Sequence, residues 1–510
     1  MLLHNYLIHS AERFPTKAAV VHKGKTFTYE EIFSGSLSIA NWLVDNGLQK
    51  GDRVAILMDN PSEYIKAYFG ILMAGGVVVA LNIQTSVRIL NYQLNNCEIF
   101  AILTHVKFIK YLSELSGSLP SVKAVAVIGW KAGLIEDPPF RCFDYDEILG
   151  SFSGSTHTSP NVAASDIAQI IYTSGTTGQA SAVMLSHSNL TSNTDSIIKY
   201  LKLTEHDRAM AVLPFFYSYG NSVLLTHIAA GGTLVIRQEF LYPNEIIEEM
   251  IKEEVTGFSG VPSTFAILLN RSAIRHYKFP NLRYITQAGG AMSPKLINEL
   301  KSILPHVDIY IMYGQTEASA RLSYLEPEEL FRKSGSIGKA IPGVTLEVLN
   351  PEGYPVKPGE VGEIVARGEN IMAGYWKEPE RTAQVLRKEG LWTGDMARID
   401  EEGFIYIVSR KSDIIKSGAH RISPKEIEEI ILEYSAVHEA AVVGVEDEIL
   451  GEAIKACVVL KDGFSCTKRE LLSHCHKNLP LYKVPQHIEF REELPKTSSG
   501  KIRKIDLKQT

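Results

Sequence analysis

Up to about residue 400 the chain repeats one pattern: an apolar strand, a turn, then an amphipathic helix. Arg53-Val54-Ala55-Ile56-Leu57-Met58 reads as a strand, Ser62 to Met73 as a helix, and Val77-Val78-Val79-Ala80-Leu81 as a buried strand. Further strands are predicted at Ala209 to Leu213, Thr233 to Ile236, Gly257 to Val261, Tyr284 to Ala288 and Ile309 to Tyr313. Strands alternating with helices imply α/β layers with largely parallel sheets. In such sheets ligands sit beyond the carboxyl ends of the strands. Several of these strands run into loops rich in Gly, Ser, Thr or Pro, where a site is expected. At 510 residues the chain is too long for one core, so two or more domains are expected.

The character of the chain changes near Ser409-Arg410-Lys411-Ser412-Asp413. Beyond it, Ser423-Pro424-Lys425-Glu426 has the arrangement of a capping box with proline at the first helical position, and the helix continues from Ile427 to Tyr434. Strands Ala440 to Val445 and Ile454 to Leu460 follow, then a helix near Lys468 to Lys477. This predicts a large N-terminal α/β domain of several subdomains over residues 1–410, with layered β-sheets and helices. A small α+β C-terminal domain over 411–510 follows a short charged junction that allows relative movement. Ser151 to Ser159 reads as a Ser/Thr-rich, linker-like loop.

A net charge of −6 argues against a bulk nucleic-acid binder, which usually shows a basic excess. Two long uncharged stretches, Ala67 to Val87 and Ala209 to Ile236, are broken by Gly75-Gly76 and by Pro214, Asn221, His227 and Gly231-Gly232. Neither reads as a membrane span. The start, Met1-Leu2-Leu3-His4-Asn5, lacks the pattern of a signal peptide, and the expected location is the cytoplasm. Five scattered cysteines fit a reducing compartment without a disulfide framework. His474-Cys475-His476 has no second ligand pair at a zinc-site spacing and reads as a surface helix segment.

Chemistry enters with Tyr172-Thr173-Ser174-Gly175-Thr176-Thr177-Gly178, directly behind the apolar run Ala168 to Ile171. Glycines let the backbone approach a ligand, and successive N–H groups with Ser and Thr hydroxyls offer several donors to a polyanion. The loop suits the phosphates of a nucleotide; taken alone, it also fits an ordinary polar β-turn. It is accompanied by Tyr313-Gly314-Gln315-Thr316-Glu317, Thr393-Gly394-Asp395, Ser409-Arg410 and Lys416-Ser417-Gly418 before Arg421-Ile422-Ser423-Pro424. Pro495-Lys496-Thr497-Ser498-Ser499-Gly500-Lys501-Ile502 lies near the C-terminus.

In this order and spacing the set resembles the adenylate-forming superfamily of acyl-CoA synthetases, peptide-synthetase adenylation domains and beetle luciferases, from about Tyr29 to Arg503. The resemblance implies an ATP- and Mg²⁺-dependent ligase. A carboxylic acid attacks the α-phosphate to give acyl-AMP and pyrophosphate, and the thiol of coenzyme A, or of carrier-protein pantetheine, then displaces AMP. By resemblance, Thr173 to Gly178 cradle the β/γ-phosphates, Thr316 donates to the α-phosphate and Glu317 holds Mg²⁺. Asp395 accepts from the ribose hydroxyls, with Arg410 nearby, and Gly289-Gly290-Ala291 and Tyr313 pack on the adenine, Gly314 and Gln315 completing that segment. Lys501 bridges carboxylate and phosphate oxygens during adenylation. Ser412 takes the hinge position, after whose rotation Lys416 and Gly418 approach the thiol channel. The acid pocket is expected among Tyr217, Tyr219, Gly220, Val261 and Ser319, with an apolar, uncharged lining that suits an aliphatic or aromatic acid. Transfer to an acyl carrier protein and a nucleotide-binding relative without catalysis are the alternatives.

Without the resemblance, Lys501 reads as one solvated cation of a basic tail and Glu317 as an acid at a helix N-terminus. Asp395 reads as a turn residue, and Tyr313 as a core aromatic. The chain also departs from the family pattern. Where the loop ordinarily continues with Pro-Lys-Gly, this sequence has Ala180-Ser181-Ala182, so a cation expected beside the leaving pyrophosphate is replaced by serine. Three readings are open: Mg²⁺ and another cation compensate, adenylation is slow, or catalysis is lost and nucleotide binding kept; Lys501, Glu317, Asp395 and Arg410 argue against the last. Tyr217 stands where many acyl-CoA synthetases have histidine. It lacks the full negative charge that would pair with a substrate ammonium, which argues against an α-amino acid.

Overall fold

The computed structural model describes residues 1–131, 140–151, 161–173, 181–237, 240, 242–411, 413–417, 420–447, 450–496 and 502–508. Two large sheets carry the first two-thirds of the chain. One has eight strands and runs from Gly374–Tyr375 through Ser181–Ser186, Ile167–Thr173, Val77–Ala80, Arg53–Leu57, Ala101–His105 and Ala124–Ile128 to Arg141–Asp144. The other has nine. Its parallel centre is Asp308–Tyr313, Tyr284–Gln287, Gly257–Gly260, Arg208–Ala211, Thr233–Ile236 and Ala18–His22. The expected strands are therefore present, with ends shifted by one or two residues.

One apolar core joins these sheets, and the helices Tyr29–Asp45 and Pro61–Met73 lie within it. Helix Pro61–Met73 is buried along almost its whole length, which explains its lack of a polar face. A Cβ on Gly70 would press into the Ser36 carbonyl oxygen and Ile39, so glycine there sets how closely the two helices meet. A buried side-chain cluster also ties the layers: Tyr68 Oη and Asn221 Nδ2 both donate to Gln169 Oε1, at 2.8 and 2.9 Å.

The expectation of largely parallel sheets fails between residues 344 and 410. There Val344–Leu349, Val361–Gly368, Gly390–Ile399 and Ile405–Arg410 form antiparallel pairs. For the last of these pairs the short link from Ile399 to Ile405 is the cause, because parallel pairing needs a crossover of about a dozen or more residues. A fourth sheet holds His420–Ile422, Ile415–Ser417, Gly451–Leu460, Val437–Asp447 and His487–Phe490, with apolar clusters of its own.

Two local expectations also need correction. The Ser423 hydroxyl donates to the Val408 carbonyl (2.6 Å) and makes no side-chain cap on helix Pro424–Glu433, so the capping box is not formed. The serine instead links this helix start to the preceding sheet, together with Lys425 Nζ, which donates to the Ile407 carbonyl at 2.8 Å. Cys475 is buried in the C-terminal core, and His474 Nε2 meets the Ile430 carbonyl at 2.9 Å, so this segment is half core and not plain surface. All five cysteines are free.

Candidate functional site

The site is assembled at the carboxyl ends of strands from both large sheets. Thr173 ends the strand Ile167–Thr173, and across the hairpin it pairs with Ser181. Ser174, Gly175, Thr176, Thr177 and Gly178 lie outside the described residues, as do Ser412, Gly418 and Lys501. Lys416 is placed by backbone only, in the strand Ile415–Ser417. Ser181 is fully buried, and its hydroxyl has no hydrogen-bond partner among the described residues. The position that the family pattern gives to a cation is therefore held by a buried serine here.

Strand Asp308–Tyr313 delivers the next segment. Gly314 follows it because a Cβ there would overlap the Ala320 carbonyl oxygen. Gln315 then caps a single 3₁₀ turn, Thr316–Ala318. The Thr316 and Ser218 hydroxyls are 3.2 Å apart, which brings this turn against the start of helix Ser218–Ala230. Tyr375 Oη donates to Glu317 Oε1 at 2.9 Å, fixing one carboxylate oxygen. Burial, and then the Glu317 charge, raise the tyrosine's pKa, so it remains a donor at neutral pH. A carboxylate beside hydroxyls is a hard oxygen donor set of the kind Mg²⁺ prefers.

Asp395 lies in strand Gly390–Ile399 and is buried. Tyr313 Oη donates to its Oδ2 at 2.7 Å, and Arg410 Nε, opposite it in the ladder, donates to Oδ1 at 3.0 Å. Burial, then the nearby carboxylate, push the Tyr313 hydroxyl pKa well up, while Asp395 is the first cause raising that of Arg410. Tyr313, Asp395 and Arg410, read separately from three motifs, thus form one hydrogen-bonded group. Gly289 adopts a left-handed φ of +86°, and the Gly290 carbonyl accepts from Gln287 Nε2 at 2.7 Å. Ala291 is exposed beside them.

Among the residues expected to line the acid pocket, Tyr217 stands at the N-cap position of helix Ser218–Ala230, with its hydroxyl 3.4 Å from Asn82 Nδ2. Gly220 is required because a Cβ would overlap the Pro214 carbonyl oxygen. Val261 precedes the helix Pro262–Arg271. Tyr219 Oη meets both the carbonyl and the hydroxyl of Thr286 at 2.9 Å, and that hydroxyl meets Ser259 Oγ at 2.8 Å. Ser319, at φ +57°, donates to the Asn370 carbonyl at 2.8 Å.

One charged side chain packs directly against a residue expected to line the acid pocket. Arg321 is 2% exposed, and its guanidinium carbon lies 4.6 Å from the centre of the Tyr219 ring. Its position two residues past Ser319, among Ala318, Ala320 and Leu322, was the available signal: a lone cation in an apolar run behind a motif. Sequence reasoning also missed Tyr375 and Ser218. Nothing in their local spacing marks them, since each meets its partner only through the fold.

Residues 7–376 match the family model of the AMP-binding enzyme, and residues 426–501 that of the AMP-binding enzyme C-terminal domain. The chain is 33% identical to a long-chain-fatty-acid–CoA ligase of Bacillus subtilis, over 98% of this chain and 93% of that protein. It is 32% identical to a feruloyl-CoA synthase of Amycolatopsis sp, over 99% and 98%. The crystal structure of ATP-bound MatB from Rhodopseudomonas palustris matches with a TM-score of 0.90 at 27% identity, covering 100% of this chain and 99% of that one.

Proposed function

The chain belongs to the AMP-binding enzyme family, and from that membership we propose a role for each residue of its site. The activity is that of an AMP-forming acid–thiol ligase, which uses ATP, Mg²⁺ and coenzyme A. A carboxylate oxygen attacks the α-phosphorus and pyrophosphate leaves. The thiol then attacks the acyl carbon and AMP leaves.

In our reading, Asp395 receives the ribose hydroxyls, with its orientation set beforehand by Tyr313 and Arg410. Thr316 donates to the α-phosphate from a turn braced by Ser218. Glu317 holds Mg²⁺, which neutralises phosphate charge, and Tyr375 fixes the carboxylate that does so. Thr173 opens the cradle for the β/γ-phosphates, and Gly289, Gly290 and Ala291 flank the base. Lys501 supplies the cation for adenylation. Ser412 serves as hinge for a C-terminal unit beginning at 411, whose Lys416 and Gly418 serve thioester formation. The substrate is a carboxylic acid with a hydrocarbon or ring body held against Tyr217, Tyr219, Gly220, Val261 and Ser319. The enzyme is read as cytoplasmic, and no helix among the described residues is long and apolar enough to cross a membrane.

One observation carries this reading: Thr316, Glu317, Tyr313, Asp395 and Arg410, from segments far apart in sequence, converge through direct hydrogen bonds and one shared turn. The test is acid-dependent ATP–pyrophosphate exchange across a panel of acids; no exchange with any acid refutes catalysis and leaves a nucleotide binder. Comparing coenzyme A with carrier protein in AMP release identifies the thiol. Lys501→Ala is expected to abolish acyl-adenylate formation while thioester formation from pre-made acyl-adenylate largely survives. Equal loss of both half-reactions in folded protein refutes its assignment.

A further inference from the structure

Four lysine or arginine side chains among the described residues are buried: Lys66, Arg321, Lys333 and Lys455. Three of them have a carboxylate within reach. Lys66 is 4.0 Å from Glu63, Lys333 is 2.7 Å from Asp400 and 2.6 Å from Glu402, and Lys455 is 2.8 Å from Glu489. Arg321, the most deeply buried, makes no ion pair among the described residues. Its Nη2 has Ser222 Oγ at 3.4 Å, its guanidinium faces the Tyr219 ring, and the Tyr200 hydroxyl is nearby. Its Nε has no hydrogen-bond partner among the described residues. A desolvated cation without its counter-charge is strongly disfavoured, and hydroxyls and a ring face compensate only in part.

The backbone holds it in that position. Ser319 (φ +57°) and Ala320 (φ +108°) are consecutive left-handed residues that turn the chain inward. Strain of this kind in a residue other than glycine persists only where the surroundings enforce it, and it gathers at functional sites. Here Asn193 Nδ2 and Asn370 Nδ2 both donate to the Arg321 carbonyl at 2.9 Å. The side chain reaches helix Ser218–Ala230 at Tyr219 and Ser222. That is about one turn, roughly 6 Å along the axis, beyond Ser218, which touches Thr316.

We propose that Arg321 is the specificity-determining residue of the acid pocket and takes a second carboxylate, so that the preferred substrate is a dicarboxylic acid. Its reacting carboxylate lies at Thr316 and its distal one at Arg321, with a short hydrocarbon spacer against Tyr219. The proposal rests on the ligase reading above and narrows its acid from any carboxylate to one bearing a distal anion. The substrate supplies the counter-charge that the protein omits, so a monocarboxylate of equal length leaves the guanidinium unpaired.

The experiment is pyrophosphate exchange with matched pairs, each a dicarboxylic acid and the monocarboxylic acid of the same carbon count, from four to eight carbons. The wild type is expected to favour one or more diacids over their partners by at least about 10-fold in kcat/KM. Arg321→Met is expected to erase that preference, the kcat/KM of each diacid converging with that of its matched monoacid while the KM for ATP changes little. Arg321→Lys should keep part of the preference. Exchange with monoacids that equals or exceeds that with every diacid overturns the proposal and leaves the ligase reading intact. So does an Arg321→Met variant that loses all acids and ATP affinity alike. Absence of exchange with any acid removes both. If Arg321→Met does not fold, the wild-type ratios decide alone.

Discussion

In the proposed site, the nucleotide side and the acid side handle charge in opposite ways. Around Asp395 the protein supplies its own partners, since Tyr313 and Arg410 occupy both carboxylate oxygens, and Tyr375 holds Glu317 similarly. Around Arg321 no carboxylate of the described residues completes the pair. Every acid activated by such an enzyme arrives with the same nucleotide, so that side can be rigid and charge-compensated in advance. Groups whose partners are fixed before binding need little reorganisation during reaction. The acid side has to distinguish molecules, and a cation left for the ligand to satisfy does so by penalising ligands that cannot.

This contrast can be tested by asking which losses depend on the acid. Asp395→Ala is expected to have the largest effect: about a 10²–10³-fold fall in kcat/KM for ATP, equal for every acid, read by exchange. A loss that varied between acids would show that the two sides are not separable. Tyr375→Phe should do less. It removes the donor that orients Glu317, and the Mg²⁺ concentration at half-maximal exchange should rise by about 10-fold, again whatever the acid. An unchanged Mg²⁺ requirement would remove Glu317 as the metal's ligand or Tyr375 as its support.

Ser181→Lys should have the smallest effect on rate. Exchange is expected to stay the same or rise, because the added ammonium restores the cation of the family pattern. The burial of Ser181 adds a cost the sequence did not suggest: fitting a longer side chain into packed protein should reduce stability by about 1–3 kcal/mol, read by denaturant titration. A marked fall in exchange by folded protein would mean that the local site is built around serine.

Much of the architecture was legible because hydrophobic periodicity is a local property. Strands such as Thr233–Ile236 and Tyr284–Gln287 are short apolar runs between turn signals, and the elements after residue 411 follow a short charged junction. The antiparallel sheet of residues 344–410 was missed as a sheet because pairing direction depends on which strands the connections allow to meet. Ser423 shows the same limit at the scale of one hydroxyl. Its spacing to Glu426 fits a cap, yet a tertiary carbonyl at Val408 wins the donor.

The amino-acid sequence by itself determined the layered α/β class and the order of the motifs, because these are written in short-range spacing; the nucleotide-side roles came from the family resemblance those motifs carry. Only the tertiary structure decided that Tyr313, Asp395 and Arg410 form one hydrogen-bonded group, that Ser181 is buried, and that Arg321 turns inward onto Tyr219 without a carboxylate. The physical reason is the range of the interactions. Periodicity and turn chemistry act over a few residues, whereas burial and charge pairing depend on neighbours that folding brings in from anywhere along the chain.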